Sequence, residues 1–347
     1  NARRTVRGVG SMTKFLSDNA AAVHPAVWEA MRAADQADNP YDGDALSAEL
    51  DLRFTDMFGR DCAALWVATG TAANCLALAT MCAPHGGVVC HEEAHIEVDE
   101  GGAPGFYLHG AKLIHAAGDG AKLTPEGIAA VIDPIRDDVH QVQPHALAIT
   151  QASEYGRSYT PAELGALAEF SKDRRLGLHM DGARFANSAA FLGGSAQEAA
   201  RAAAGGVDSL AFGFIKNGGM NAEAVILFDR EAANHVRYRR KRAGHLQCKG
   251  RYLAAQILGM LDGDVWFANA QHANAAAQEI GSGCGERLMH PVEANELFVQ
   301  LNAPERETLR SQGFEFYDWG EDAARFVSAW NTKDDDASAL GKAIAAL

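Results

Sequence analysis

No stretch of this chain is apolar for the roughly 18 residues that a membrane helix needs, so no spanning segment is expected. The six cysteines (Cys62, Cys75, Cys82, Cys90, Cys248 and Cys284) form no CxxC pair and have no zinc-like spacing with histidine. They read as reduced, mostly buried thiols of a cytoplasmic protein, and no metal site is expected. Cations are in deficit, with 31 Lys and Arg against 45 Asp and Glu, and the net charge of −14 is spread along the chain. That balance argues against nucleic acid as a partner. GxGxxG and GxxxxGK[ST] are both missing, which leaves a nucleotide-binding α/β reading without its phosphate loop. What remains is 347 residues with an apolar fraction of 48%, enough for one large domain or two ordinary ones. Residues 1–11 precede a plausible start at Met12 and read as an expression scar.

Past that point strands and helices alternate. A helix is expected from Pro25, with the proline in its first turn, and another over Ala45–Phe58, closed by Gly59. The run Cys62–Ala68 reads as a buried strand feeding Thr69-Gly70-Thr71-Ala72-Ala73-Asn74, which turns into an apolar helix ending near Cys82. Strands are expected at Gly87–Cys90, Gly110–His115, Ala146–Thr150 and Arg175–Met180, with helices over Thr124–Ile135 and Pro161–Lys172. Such alternation predicts a mainly parallel sheet covered on both faces. A basic run, Arg237–Arg242, reads as one face of a helix, and Arg251–Leu261 as a further helix. From about Glu286 the pattern becomes that of a smaller α+β unit, with its strands and helices expected among Leu297–Leu301, Phe314–Tyr317 and Ala324–Trp330. The expected division is 12–240 for the large unit and 241–347 for a connecting helix and the small one.

Chemistry concentrates at His179-Met180-Asp181-Gly182-Ala183-Arg184, followed 32 residues later by Lys216. The apolar strand delivers Asp181 at its carboxyl end, where ligands bind in open α/β sheets. Lys216 lies between the strand-like Val207–Phe214 and the turn Asn217-Gly218-Gly219. Carboxylate, guanidinium and amine are the three charges that a pyridoxal 5′-phosphate (PLP) enzyme requires. They hold the pyridine nitrogen protonated, grip a substrate carboxylate and form a Schiff base. Gly70 and Thr71 offer free N–H groups and a helix dipole to a phosphate. His95, in a stretch rich in titratable groups, could stack on the ring or move a proton, and Glu100 is a second acid/base candidate. Arg325, flanked by Phe326 and Val327, is placed for bidentate carboxylate binding.

In their shared order these strings resemble the low-specificity L-threonine aldolases, including the phenylserine aldolases. The likeness runs from about Phe15 to the C-terminus, through Leu16-Ser17-Asp18-Asn19, Thr69–Asn74, Ala94-His95…Glu100-Gly101-Gly102, His179–Arg184, Lys216-Asn217-Gly218 and Arg325. It implies an α/β, aspartate-aminotransferase-like fold (fold type I of PLP enzymes) and cleavage of L-β-hydroxy-α-amino acids to glycine and an aldehyde. By the same likeness Lys216 carries PLP, Asp181 meets the pyridine nitrogen, His95 stacks on the ring, and Gly70 and Thr71 hold the phosphate. Ser17, Arg184 and Arg325 would bind the substrate carboxylate. It also implies a homotetramer built from tight dimers, with Lys249 reaching a phosphate across the interface. Two positions depart from the pattern. Gln151-Ala152-Ser153-Glu154-Tyr155-Gly156 stands where many members carry a histidine, so Glu154, or water with His95, would have to serve. Ile215 stands where many fold-type-I enzymes have Ser or Thr before the lysine. Both traits tilt the expected substrate toward aromatic β-hydroxy amino acids. The enzymatic rival is β-elimination or transamination on the same scaffold.

Overall fold

The computed structural model describes residues 12–347; the expression scar expected over 1–11 lies outside the described residues. Its strands, in chain order, are β1 (Thr13–Lys14), β2 (Ala63–Val67), β3 (Gly86–His91), β4 (Lys112–Ala116), β5 (Gln143–Thr150), β6 (Gly177–Gly182), β7 (Ser209–Phe212), β8 (Glu223–Leu227), β9 (Glu296–Gln300), β10 (Phe314–Glu315), β11 (Tyr317–Trp319) and β12 (Ala323–Val327). Seven form one sheet in the order β2-β8-β7-β6-β5-β3-β4. β3 to β7 run parallel, and β8 alone reverses the direction against both β2 and β7. β2, β7 and β8 are buried along their whole length, as strands covered on both faces must be. β8 is a further strand beyond those expected, and Ala222–Phe228 is as strand-like in sequence as its neighbours.

Local chemistry accounts for the helix ends. The Asp44 carboxylate accepts from the Ser47 N–H at 2.9 Å and starts helix Ala45–Phe58. Gly59 ends that helix at φ 61°, in the left-handed region that favours glycine. Thr160 and Glu163 close a reciprocal capping box on helix Pro161–Arg174. Thr69 caps helix Gly70–Met81, its hydroxyl accepting from Ala72 N–H at 3.1 Å.

Three expectations change. The basic run does not share one face of helix Arg230–Arg242. At 100° per residue it winds around the helix, and Arg240 turns inward, where it donates to the Trp66 carbonyl at 3.0 Å and pairs with Asp42. Phe314–Tyr317 is two strands: β10 pairs with β1, whereas β11 turns to β12. The N-terminal segment therefore joins the C-terminal unit, with Phe15 buried among Phe314, Phe316, Phe326, Leu340 and Ile344. The division expected at 240/241 falls inside helix Arg230–Arg242. The packing changes over along helix Val265–Ser282, which gives Trp266, Phe267 and Ala270 to the large core and Ala276, Ala277 and Ile280 to the small one. Five of the six cysteines are buried, Cys248 is exposed, and all are free. No helix among the described residues is long and apolar enough to cross a membrane.

Candidate active site

The carboxyl ends of β5, β6 and β7 and the start of helix Gly70–Met81 surround one cavity. Thr69, Gly70, Thr71, Asn74, His95, Glu154, Asp181, Arg184, Lys216 and Glu223 all line it. An adjoining recess shares His95, Glu154, Arg184 and Lys216 and adds Ser17, Glu296 and Arg325. Residues from position 17 to position 325 thus meet in one place.

Asp181 is fixed from two sides. Its Oδ1 accepts the Ala183 N–H at 2.9 Å, and its Oδ2 accepts Asn74 Nδ2 at 2.8 Å. Asn74 owes its orientation to His179, whose Nε2 lies 3.0 Å from the Asn74 Oδ1 and whose Nδ1 lies 2.8 Å from Ser209 Oγ. Because the amide oxygen can only accept, Nε2 carries the proton and Nδ1 accepts from the serine. Burial drives the His179 pKa down to about 4, so the imidazole stays neutral. The second Asn74 N–H goes to Glu100 Oε1 at 2.9 Å, and the same oxygen meets His95 Nδ1 at 3.0 Å. That bond to Glu100, against the cost of burial, raises the His95 pKa. Glu100 therefore lies behind His95 and does not line the cavity, which corrects its candidacy as a free acid or base: Asn74 and His95 take its Oε1, and the Cys75 thiol donates to its Oε2 at 3.8 Å. Atoms of His95, Glu100 and Asp181 lie within 4.8 Å of one another, but the Asn74 amide donates to both carboxylates from between them, which makes the trio a hydrogen-bond network. Asn74 stood in the sequence only as the end of a loop motif.

Glu154 takes the place that the sequence left open. Its Oε1 accepts from the His95 N–H at 3.1 Å and from Thr150 Oγ1 at 2.7 Å. Its Oε2 is buried and has no partner among the described residues. Burial pushes this carboxyl up to about 7, despite the Thr150 bond.

The two arginines are already engaged. Arg184 forks onto Asp18, Nε to Oδ2 at 2.8 Å and Nη2 to Oδ1 at 3.0 Å, and its Nη1 makes a close ion-pair contact with Glu296 Oε1. Asn295 Nδ2 adds a bond to Asp18 at 3.0 Å. Burial works against both charges, yet Arg184 and Lys216 hold the Asp18 pKa down, and Asp18 and Glu296 hold that of Arg184 up. Arg325 Nε donates to Glu296 Oε2 at 2.8 Å, which leaves the guanidinium's Nη groups toward the recess unbonded among the described residues. Ser17 lines the recess while its hydroxyl caps the Asp18–Ala20 turn. Glu296 was not legible in the sequence, where it is one carboxylate ahead of an apolar strand.

Lys216 sits on a single 3-10 turn, Ile215–Asn217, beneath which Phe212 and Phe214 stack with centroids 4.5 Å apart. Burial, then Arg184, lowers its pKa toward a usable nucleophile. Lys249 is exposed and bridged to Tyr41; within one chain it does not reach the cavity. A Cβ on Gly70 would meet nothing within 4 Å, so the helix N-terminus faces open space. An aromatic phosphate ester with an aldehyde, such as PLP, fits this donor set: a lysine, a carboxylate anchored on two sides and a free helix N-terminus.

The model of one protein family, beta-eliminating lyase, matches residues 14–304. The low specificity L-threonine aldolases of a Pseudomonas species and of Pseudomonas aeruginosa are each 42% identical to this chain, covering 92% of it and 94% and 93% of their own lengths. A solved Leishmania major threonine aldolase superimposes with a TM-score of 0.87 at 25% identity, covering 95% of this chain and 98% of its own. The α/β architecture expected above is the one observed. The chain therefore belongs to the beta-eliminating lyase family, among its low-specificity L-threonine aldolases.

Proposed function

We propose that this chain binds PLP on Lys216 and cleaves L-β-hydroxy-α-amino acids, L-phenylserine among them, to glycine and an aldehyde. The observation that carries this reading is the unpartnered Oε2 of Glu154, a buried carboxyl with a pKa near 7 in the same cavity as Lys216 and Asp181. A retro-aldol cleavage needs a base at the β-hydroxyl, and a base poised near the working pH is the efficient one. His95, its pKa raised by Glu100, keeps its proton more readily and suits stacking and charge support.

Asp181 would meet the pyridine nitrogen, the N–H groups of Gly70 and Thr71 would take the phosphate, and His95 would cover the ring. When bound, PLP supplies the electron sink for the pair released at Cα. The free Nη groups of Arg325, with Ser17, would grip the substrate carboxylate, and Arg184 would hold that subsite in shape through Asp18 and Glu296. Glu154 Oε2 would receive the β-hydroxyl proton, directly or through a water. Lys216 Nζ would exchange its proton with the incoming amine.

A homotetramer is part of the proposal. Phe106 and Tyr238 are 78% and 82% exposed, and Phe106 lines a recess together with Arg239 and Arg242, a surface suited to another copy. Lys249 would then serve a neighbour's phosphate. The buried free thiols suit the reducing cytoplasm.

The test adds L-threo-phenylserine to PLP-loaded protein and follows benzaldehyde and glycine together, with Lys216→Ala as the inactive control. Equal amounts of both products support the retro-aldol reading. Ammonia and a keto acid instead would assign β-elimination, the reaction for which the matched family is named, and a keto acid without ammonia would assign transamination.

A further inference from the structure

Glu223 is a buried carboxyl that the reaction above does not use. It begins β8, and its register partner in β2 is Val67, three residues before Gly70. Because β8 is inserted antiparallel between β2 and β7, its first residue lies at the end of the sheet where β2 enters the Gly70-Thr71 turn and β7 leads to Lys216. Glu223 lines the cavity with both. Its Oε2 accepts the N–H groups of Phe214 and, at 3.4 Å, Ile215, which ties down the turn that carries the lysine. No residue among those described bonds its Oε1, and Glu223 lines the cavity.

A carboxylate at the mouth of a helix N-terminus is out of place if an anion is to bind there. Like charges in a poorly solvated cavity repel, and the resolution is for the acid to keep its proton. We propose, on the reading that PLP is the cofactor, that Glu223 is a phosphate-binding residue in its acid form: Oε2 accepts from the turn and Oε1–H donates to the phosphate. Ile215, next to the lysine, has no side-chain donor to offer. Burial already pushes Glu223 up to about 8, against the pull of the Phe214 and Ile215 N–H groups and of Lys216, and with Asp181 adding to the rise. The other elements packed on β8 change little. Helix Gly70–Met81 has no acidic residue in its first turn, and Arg240 of helix Arg230–Arg242 is taken by Asp42 and the Trp66 carbonyl. A phosphate dianion would raise the pKa further, so above about pH 8 the free protein loses the donor proton and must take it up again to bind, which weakens binding progressively as the pH rises.

The experiment titrates apoprotein of wild type, Glu223→Gln and Glu223→Ala with PLP and with pyridoxal, which lacks the phosphate, between pH 6.5 and 9.5. The readout is the absorbance band of the lysine-bound cofactor. The glutamine amide still donates and accepts, so Glu223→Gln should match wild type at pH 7. Wild type should lose about tenfold in PLP affinity relative to Glu223→Gln at the alkaline end, a ratio in which the shared titration of Lys216 cancels. Glu223→Ala should lose about tenfold for PLP and little for pyridoxal. A pH-independent ratio of wild type to Glu223→Gln overturns the inference, even if the alanine variant does not fold. Equal losses for PLP and pyridoxal also overturn it, leaving Glu223 as a brace for the turn alone. No band in wild type at any pH would instead sink the cofactor reading, and this inference with it.

Discussion

The two halves of the cavity are built on opposite principles. On the β6 side, Ser209, His179 and Asn74 form a chain of neutral donors and acceptors that ends on two carboxylates, all within or beside one sheet. On the recess side, Asp18, Arg184, Glu296 and Arg325 form an alternation of full charges. They come from the N-terminal turn, the segment after β6, and two strands of the C-terminal unit. The neutral chain is rigid because each group has one tautomer or rotamer that satisfies it. The ionic cluster is held by attraction across the boundary of two cores, and that suits a subsite which must admit another charge.

The largest effect is expected where the halves touch. Glu154→Gln should lower turnover by about 10² to 10⁴. Because the base must be ionised, activity in wild type should rise with pH through about 7, and the variant should lose that limb. A pH profile unchanged in Glu154→Gln would hand the role to another group. On the ionic side, Arg184→Met should destabilise the fold by about 3–5 kcal/mol, since Asp18 and Glu296 would be left buried with a cation removed. Urea unfolding measures this, and a loss under 1 kcal/mol would mean that water replaces the guanidinium freely.

The neutral side predicts a pH effect of known sign. The folded pKa of His179 is depressed to about 4, so below the unfolded value of 6.5 only the unfolded chain takes up the proton. Stability should fall by about 3 kcal/mol between pH 6.5 and 4 from this residue, and His179→Gln should flatten that part of the curve. The smallest effect belongs to Glu296→Gln. Removing its charge leaves the two arginines in surplus, so the KM for an amino-acid substrate should fall about two- to fivefold at low salt. A raised KM would mean that Glu296 matters for orienting Arg325 more than for its charge.

The alternating elements were legible because each carries its own signals. Thr69 and Thr160 announce helix starts, Gly59 a helix end, and helix Arg251–Leu261 shows in its apolar spacing. Lys216, Asp181 and the Gly70 turn stood out because a lysine before a glycine turn and a carboxylate at a strand end are unusual in combination. The errors arose where neighbours outside the local window decided the outcome. Phe314–Tyr317 splits because β1, three hundred residues away, claims half of it. The basic helix buries Arg240 because Asp42 and Trp66 wait beneath.

The residues that can carry the chemistry, and the strand ends on which most of them sit, were determined by the sequence itself, through patterns that act over a few residues. Only the tertiary structure decided which oxygen is free. Glu100 and Glu154 look alike in the sequence, yet Asn74, His95 and the Cys75 thiol between them take both oxygens of one, while the other keeps an unpartnered oxygen in the cavity. The same holds for Glu223 and Glu296, ordinary glutamates until β8 reverses direction and the small unit closes on Arg184. A carboxyl's proton affinity depends on what surrounds it in space, and chain order does not specify those neighbours.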